Sequence, residues 1–146
     1  MPVLRYLADT NSVSDYFKPG TPVKQWFATR RGEVALSTFT VAELRRGIEL
    51  RQGKSRLALE RTFRFLLEDY RGMFFVFDEA AAFEWGRLMA EARNHPLPLQ
   101  DSQIGAIARA SDLTVVTRNI KHFPGCRTVN PWDGVEHAPW RPSLSS

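Results

Sequence analysis

The chain has 146 residues, 43% of them hydrophobic and 25% charged, a balance that excludes a disordered polymer and suits one domain with a single core. No stretch approaches the roughly 18 consecutive apolar residues that a membrane span needs, and a lone cysteine, Cys126, excludes both an intrachain disulfide and a thiolate metal cage. The formal charge of +4 favours a polyanionic partner without naming one.

The first apolar run, Val3 to Ala8, reads as a strand, and Asp9-Thr10-Asn11-Ser12 ends it abruptly. Asn11 or Ser12 offers a side-chain oxygen to cap the helix that follows through Val13-Ser14-Asp15-Tyr16-Phe17, which Lys18-Pro19-Gly20 stops. Pro22 opens a second short helix with Val23, Trp26 and Phe27 on its buried side. Glu33 to Ser37 is the next strand, and Thr40 to about Leu50 the next helix. Gln52 to Ser55 is a loop, and Leu59, Phe63, Leu66, Leu67 and Tyr70 mark a helix over 56–70.

Met73 to Phe77 is a continuous apolar run, the pattern of a strand buried on both faces. A helix runs from Asp78 or Glu79 to about Asn94, and His95 to Leu99 forms a proline-stiffened loop. Asp101 then opens a helix to Ser111 whose Gly105, Ala106, Ala108 and Ala110 permit close packing on a sheet. Leu113 to Thr117 is a strand, Thr128-Val129 a last edge strand before Asn130-Pro131-Trp132, and residues 133–146, rich in Pro and Ser, a loose tail. Strands alternate with helices throughout, which predicts an α/β domain with a parallel sheet covered on both faces.

Polar groups recur where strands give way to helices: Asp9, Glu43, Asp101 and Asn119. In an open α/β sheet, ligands bind at that rim. Each residue also has a purely structural explanation. Asp9 could serve the turn, Glu43 stands three residues after Thr40 at capping-box spacing, and Asp101 and Asn119 could be a cap and a turn residue. Shared placement on one rim is what those explanations leave unaccounted for. Two carboxylates about 5 Å apart repel by roughly 3 kcal/mol at an effective dielectric near 20, so a cluster needs a cation or protons. Carboxylate oxygens without Cys or ligand-spaced His suit Mg²⁺ or Mn²⁺ rather than zinc. A dication held there can neutralise phosphate charge and activate water for phosphodiester hydrolysis.

Leu7-Ala8-Asp9-Thr10-Asn11, Val41-Ala42-Glu43-Leu44-Arg45-Arg46-Gly47, Leu99-Gln100-Asp101 ahead of an Ile/Ala-rich helix, Val116-Thr117-Arg118-Asn119 and the closing Asn130-Pro131-Trp132 occur in that order. The set resembles the PIN-domain ribonucleases, and in detail the VapC-type toxins of type II toxin–antitoxin pairs, over roughly residues 3 to 132. The resemblance implies a PIN-like nuclease domain over 1–132, a five-stranded parallel sheet flanked by helices, and a Mg²⁺- or Mn²⁺-dependent endoribonuclease. It further implies metal binding by Asp9, Glu43 and Asp101, with Asn119 completing the catalytic set and Asn11 and Thr117 bracing the acids through hydrogen bonds. A homodimer neutralised by a cognate antitoxin, whose tail reaches the acidic site, belongs to the same expectation. Asn119 stands where many such toxins carry Asp and others Asn; the amide removes one charge from any second metal position.

Other features are assigned conservatively. His95, His122 and His137 lack ligand spacing and are not read as metal ligands. No Gly-x-Ser-x-Gly elbow or phosphate-cradling glycine loop is present. The basic stretch that includes Arg45 and Arg46 is solvated helix surface, or else holds RNA phosphates or the antitoxin. Trp26, Phe63, Phe83 and Trp85 read as core or dimer surface. Without a signal-peptide pattern and with one cysteine, the expected location is the cytoplasm. Two rival readings remain: a catalytically silent binding module, motivated by Asn119, and a structure-specific DNA nuclease, disfavoured by the short chain.

Overall fold

Alternation within the first strand decides how the molecule is layered. In the computed structural model, which describes residues 3–143, β1 (Tyr6–Ala8) is wholly buried. Tyr6 and Ala8 point to one face, Leu7 to the other, as the two-residue period of a strand requires. On the first face Tyr6, Ala8, Leu36 and Val116 pack with Val13, Trp26, Phe27 and Leu66. On the second, Leu7, Ala35 and Val115 meet Ala81, Ile104, Ile107, Ala108 and Phe123. Apolar side chains on both faces of a central strand demand helices on both sides, and that is the architecture found.

The elements follow in order. After β1 come α1 (Thr10–Tyr16), α2 (Val23–Ala28), β2 (Val34–Ser37), α3 (Thr38–Glu49), α4 (Gly53–Asp69) and β3 (Phe74–Phe75). Then follow α5 (Glu79–Glu91), α6 (Leu99–Ala110), β4 (Thr114–Val116), a 3-10 turn (Ile120–His122), β5 (Thr128–Val129) and β6 (Glu136–His137). The sheet order is β3-β2-β1-β4-β5-β6. The first five strands pair in parallel, as expected, and β6 adds an antiparallel edge against β5. Connections lead outward from β1 through β2 to β3, and the chain then returns to place β4 on the opposite side of β1. The order therefore reverses between β1 and β4, and the crevice at such a reversal is where α/β sheets bind ligands.

Several local expectations are corrected. The run from Met73 to Phe77 is an edge, not a doubly buried strand: only Phe74 and Phe75 pair, both are half-buried, and Val76 is 57% exposed. Its neighbour β2 takes the interior place, with all four residues buried between β1 and β3. Helix α4 starts at Gly53, inside the expected loop. Of the residues read as core or dimer surface, Trp26 is core, whereas Phe83 is exposed.

Residues 133–143 are not a loose tail. Beyond β6, the Gly125 N–H donates to the Trp140 carbonyl at 2.7 Å, the Trp140 indole N–H donates to the Ile120 carbonyl at 3.0 Å, and Arg141 pairs with Glu91 at 3.0 Å. Pro and Ser content alone misleads here, since these contacts are made by backbone groups, one anchored indole and one arginine. Gly125 itself, at φ +72°, needs the left-handed region, and a Cβ there would meet the Arg109 guanidinium at 2.8 Å. Among the described residues, no helix is long and apolar enough to cross a membrane.

Candidate functional site

The carboxyl ends of β1 and β4 deliver the innermost groups. Asp9 follows β1 directly and is buried. Its Oδ1 accepts the Ser12 N–H at 2.8 Å, so Asp9 is itself the cap of α1, displacing the expected roles of Asn11 and Ser12. Ser12 is buried and spends its hydroxyl on the Val116 carbonyl at 3.0 Å, stitching α1 to β4. Thr117, one residue past β4 and fully buried, donates its hydroxyl to Asp9 and accepts the Asn119 N–H at 2.9 Å. Thr117 thus braces Asp9 as expected. Asn11 is exposed and lies along the same groove as Glu43.

Burial raises the pKa of Asp9, and the charge of Asp101 adds to the shift; hydrogen bonds from Thr117 and Ser12 pull the other way without cancelling it. A buried carboxyl held near a second one, with hydrogen-bond donors but, among the described residues, no bonded cation, is a position that favours a proton or a metal ion.

Asp101 reaches this rim from the first turn of α6, which begins at Leu99. There it meets a histidine to which the sequence assigned no role. His122 Nδ1, on the 3-10 turn after Asn119, lies 2.8 Å from Asp101 Oδ2. The backbone carbonyl of Asn119 accepts the His122 N–H at 2.9 Å, so this turn carries both residues to the rim. Lone histidines in loops carry no spacing signal, and only the packing of the turn against α6 reveals the contact.

Glu43 lies in α3, but not in a capping box. Ser37 caps that helix, its Oγ accepting the Thr40 N–H at 3.3 Å, which places Glu43 more than a turn inside. Strand β2 ends at Ser37 and the helix begins at once, three residues earlier than Thr40-based spacing suggests. Glu43 Oε1 accepts a long 3.4 Å hydrogen bond from Gln100 Nε2, the residue before Asp101. Gln100 therefore links the third acid to the second, a role whose only sequence signal is its adjacency to Asp101.

The donor set is all oxygen apart from His122, the chemistry of Mg²⁺ or Mn²⁺. Among the described residues, however, no group of three His, Cys, Asp and Glu side chains is gathered closely enough to hold a metal. Asp9 and Asp101 sense each other's charge, and Glu43 is tied to the residue before Asp101 through Gln100. The residues still fit a hydrated dication, because Mg²⁺ retains several waters and often takes only one or two carboxylates.

Two further features frame the rim. Asp15, on α1, is buried and accepts the Trp132 indole N–H at 3.1 Å and the Lys18 ammonium at 3.2 Å, so Asn130-Pro131-Trp132 closes back on the first helix. A groove of about 770 Å³ runs between α1, α3 and α4, with Asn11, Glu43, Arg46 and Arg51 along it. Arg46 is exposed there, whereas Arg45 is committed to Glu49 and Glu60. Cys126 is buried, and its thiol is pushed up to about 12 by burial, which removes it as a nucleophile.

A parallel sheet reversed between β1 and β4, with acids at that crevice, defines an α/β domain with an acidic rim, and the comparison with known families is specific. The PIN domain model matches residues 6–124, and the chain belongs to the PIN-domain family. It is 35% identical over 139 residues to the plasmid stability protein StbB of Pseudomonas syringae pv. tomato, covering 87% of this chain and 98% of that one. It is 34% identical over 135 residues to the toxin FitB of Neisseria gonorrhoeae, covering 86% and 97%. The crystal structure of FitAcB from the same organism superposes with a TM-score of 0.79 at 31% identity, over 87% of this chain and 98% of that chain. A DNA-bound VapBC from Salmonella typhimurium, at 23% identity and a TM-score of 0.76 over 88% of this chain and 99% of that one, shares the fold.

Proposed function

We propose that this chain is a Mg²⁺- or Mn²⁺-dependent endoribonuclease toxin, acting in the cytoplasm as a homodimer and neutralised by a cognate antitoxin. The observation that carries the reading is the pair Asp9 and Asp101 at the sheet's reversal point, the first buried and, among the described residues, with no bonded cation. The similarity to a protein named toxin FitB, and to its complex FitAcB, supports the toxin and antitoxin parts. A bound dication would supply charge neutralisation at the scissile phosphate and acidify the attacking water.

The chain's own groups have separable tasks. Asp9 and Asp101 would hold the ion; Thr117 and Ser12 fix the direction of Asp9, and His122 fixes that of Asp101. Glu43, tied through Gln100 to the start of α6 beside Asp101, contributes the third carboxylate. Asn119 brings no charge; its side-chain amide orients water or phosphate, while its backbone ties Thr117 to the 3-10 turn. Exposed Arg46 meets RNA phosphates or the antitoxin.

The test is Mg²⁺-dependent cleavage of single-stranded RNA by wild type and Asp101→Asn. Loss of cleavage with unchanged or raised thermal stability is expected; full activity in the variant refutes the assignment. The neutral Asn119 favours one rival: a PIN-fold binding module without catalysis. Calorimetry that detects no Mg²⁺ or Mn²⁺ binding to the purified chain would select it.

A further inference from the structure

A second hollow, of about 380 Å³, opens beside the rim and is walled by His95, Ile120, Lys121, His137, Ala138 and Trp140. Its volume falls within the roughly 300–1,000 Å³ of small-ligand pockets. Two of its walls are continuous with the site: His95 heads the loop that leads into α6 and Asp101, and Ile120 and Lys121 lie between Asn119 and His122. Residues 137–140, the segment expected to be loose, form the remaining wall.

The chemistry of this hollow is particular. The Trp140 indole is fixed by its N–H bond to the Ile120 carbonyl at 3.0 Å, and the His95 ring meets it edge-on with centroids 5.2 Å apart. A rigid aromatic wall loses little entropy when a flat ligand settles against it. Lys121 and His137 are exposed at the mouth, and among the described residues Lys121 enters no ion pair. Immobilised aromatic rings with an uncommitted cation at the edge match an unstacked base and its phosphate, the combination by which single-stranded nucleic acid is gripped.

We propose that this hollow is a nucleotide subsite that seats one unstacked base of the RNA strand beside the scissile phosphate, with Lys121 on the adjoining phosphate. The proposal rests on the endoribonuclease reading and extends it to substrate form: single-stranded or looped RNA is preferred, because a base inside a duplex cannot enter.

The experiment measures binding of a fluorescein-labelled single-stranded oligoribonucleotide to the purified chain in chelator, where nothing is cleaved. Lys121→Ala and His95→Ala are each expected to weaken binding about 10-fold, with unchanged melting temperature. An oligonucleotide with one abasic position at the seated base loses the same factor, and His95→Ala then adds nothing further. A 4-thiouridine at that position is expected to photocrosslink to His95 or within residues 137–140. Wild-type affinity in both variants, or a crosslink confined to the groove between α1, α3 and α4, overturns the subsite. Because binding is read without metal, this result is separate from the cleavage test: Asp101→Asn retaining activity sinks the nuclease reading, while unaltered binding in the hollow variants sinks only the subsite.

Discussion

His122 Nδ1 lies 2.8 Å from Asp101 Oδ2, an imidazole and a carboxylate brought together from the 3-10 turn and α6 across 21 residues of sequence. With its proton on Nδ1 the ring donates to the carboxylate and holds it in one orientation. Histidine partners of this kind govern how well a carboxylate presents its free oxygen to a cation. His122→Ala is expected to lower Mn²⁺ affinity about 10-fold by releasing Asp101. Titration calorimetry on the metal-free protein decides it, and unchanged affinity would assign the contact to packing alone.

Asp9 predicts an unusual pH dependence. Its native pKa is raised above the ordinary 3.8, chiefly by burial. As pH rises past 3.8 the unfolded chain gives up this proton before the folded one does, so stability falls over that interval and stays lower above the native pKa. Asn caps a helix as well as Asp does and never ionises. Asp9→Asn should therefore melt above wild type at pH 7 in chelator, the margin closing as the pH is brought below 3.8. Adding Mg²⁺ should raise the melting temperature of wild type and not of the variant.

Capping and chemistry separate at the start of α3. Ser37→Ala removes the Oγ that accepts the Thr40 N–H and is expected to cost about 1 kcal/mol in denaturant unfolding. Glu43→Gln removes a charge from the middle of the helix and should leave stability within about 0.5 kcal/mol while reducing metal binding and cleavage. A large loss of stability in the second variant, with metal binding intact, would return Glu43 to a structural role.

Trp132 ties the end of the parallel sheet to buried Asp15 through a 3.1 Å indole hydrogen bond. Trp132→Phe keeps the ring's bulk but strips a donor from a charged acceptor, with an expected loss of about 1.5–3 kcal/mol. In a double-mutant cycle with Asp15→Asn the two losses should be clearly less than additive. Additive losses would mean the indole acts only by filling space.

Arg45 and Arg46 are adjacent but not equivalent. Arg45 is held by Glu49 and Glu60, whereas Arg46 is exposed along the groove between α1, α3 and α4. Arg46→Ala is expected to reduce the salt dependence of RNA binding by about 0.7 in the log–log slope, one single-strand phosphate contact. Arg45→Ala should leave that slope alone. The reverse result would show that the ion-pair network opens to bind RNA.

Residue order alone determined the class of fold: short apolar runs alternating with helical periodicity from Val3 to Val129 force a parallel sheet covered on both faces, because each strand's apolar pattern and each helix's single apolar face must be buried. The same order marked Asp9, Glu43, Asp101 and Asn119 where strands give way to helices, because local polarity is visible there without knowing any partner, whereas Thr117 was marked only by the family resemblance. Tertiary packing decided the rest. Pairing choice made the strongly apolar Met73-to-Phe77 run an edge and buried the plainer Val34–Ser37, since position in a sheet follows connection geometry rather than hydrophobicity. Long-range contacts placed His122 on Asp101, Gln100 between Glu43 and Asp101, and Trp140 on Ile120. Nothing in spacing could register them, because each joins side chains or carbonyls from elements whose approach is set only once the sheet has reversed direction between β1 and β4.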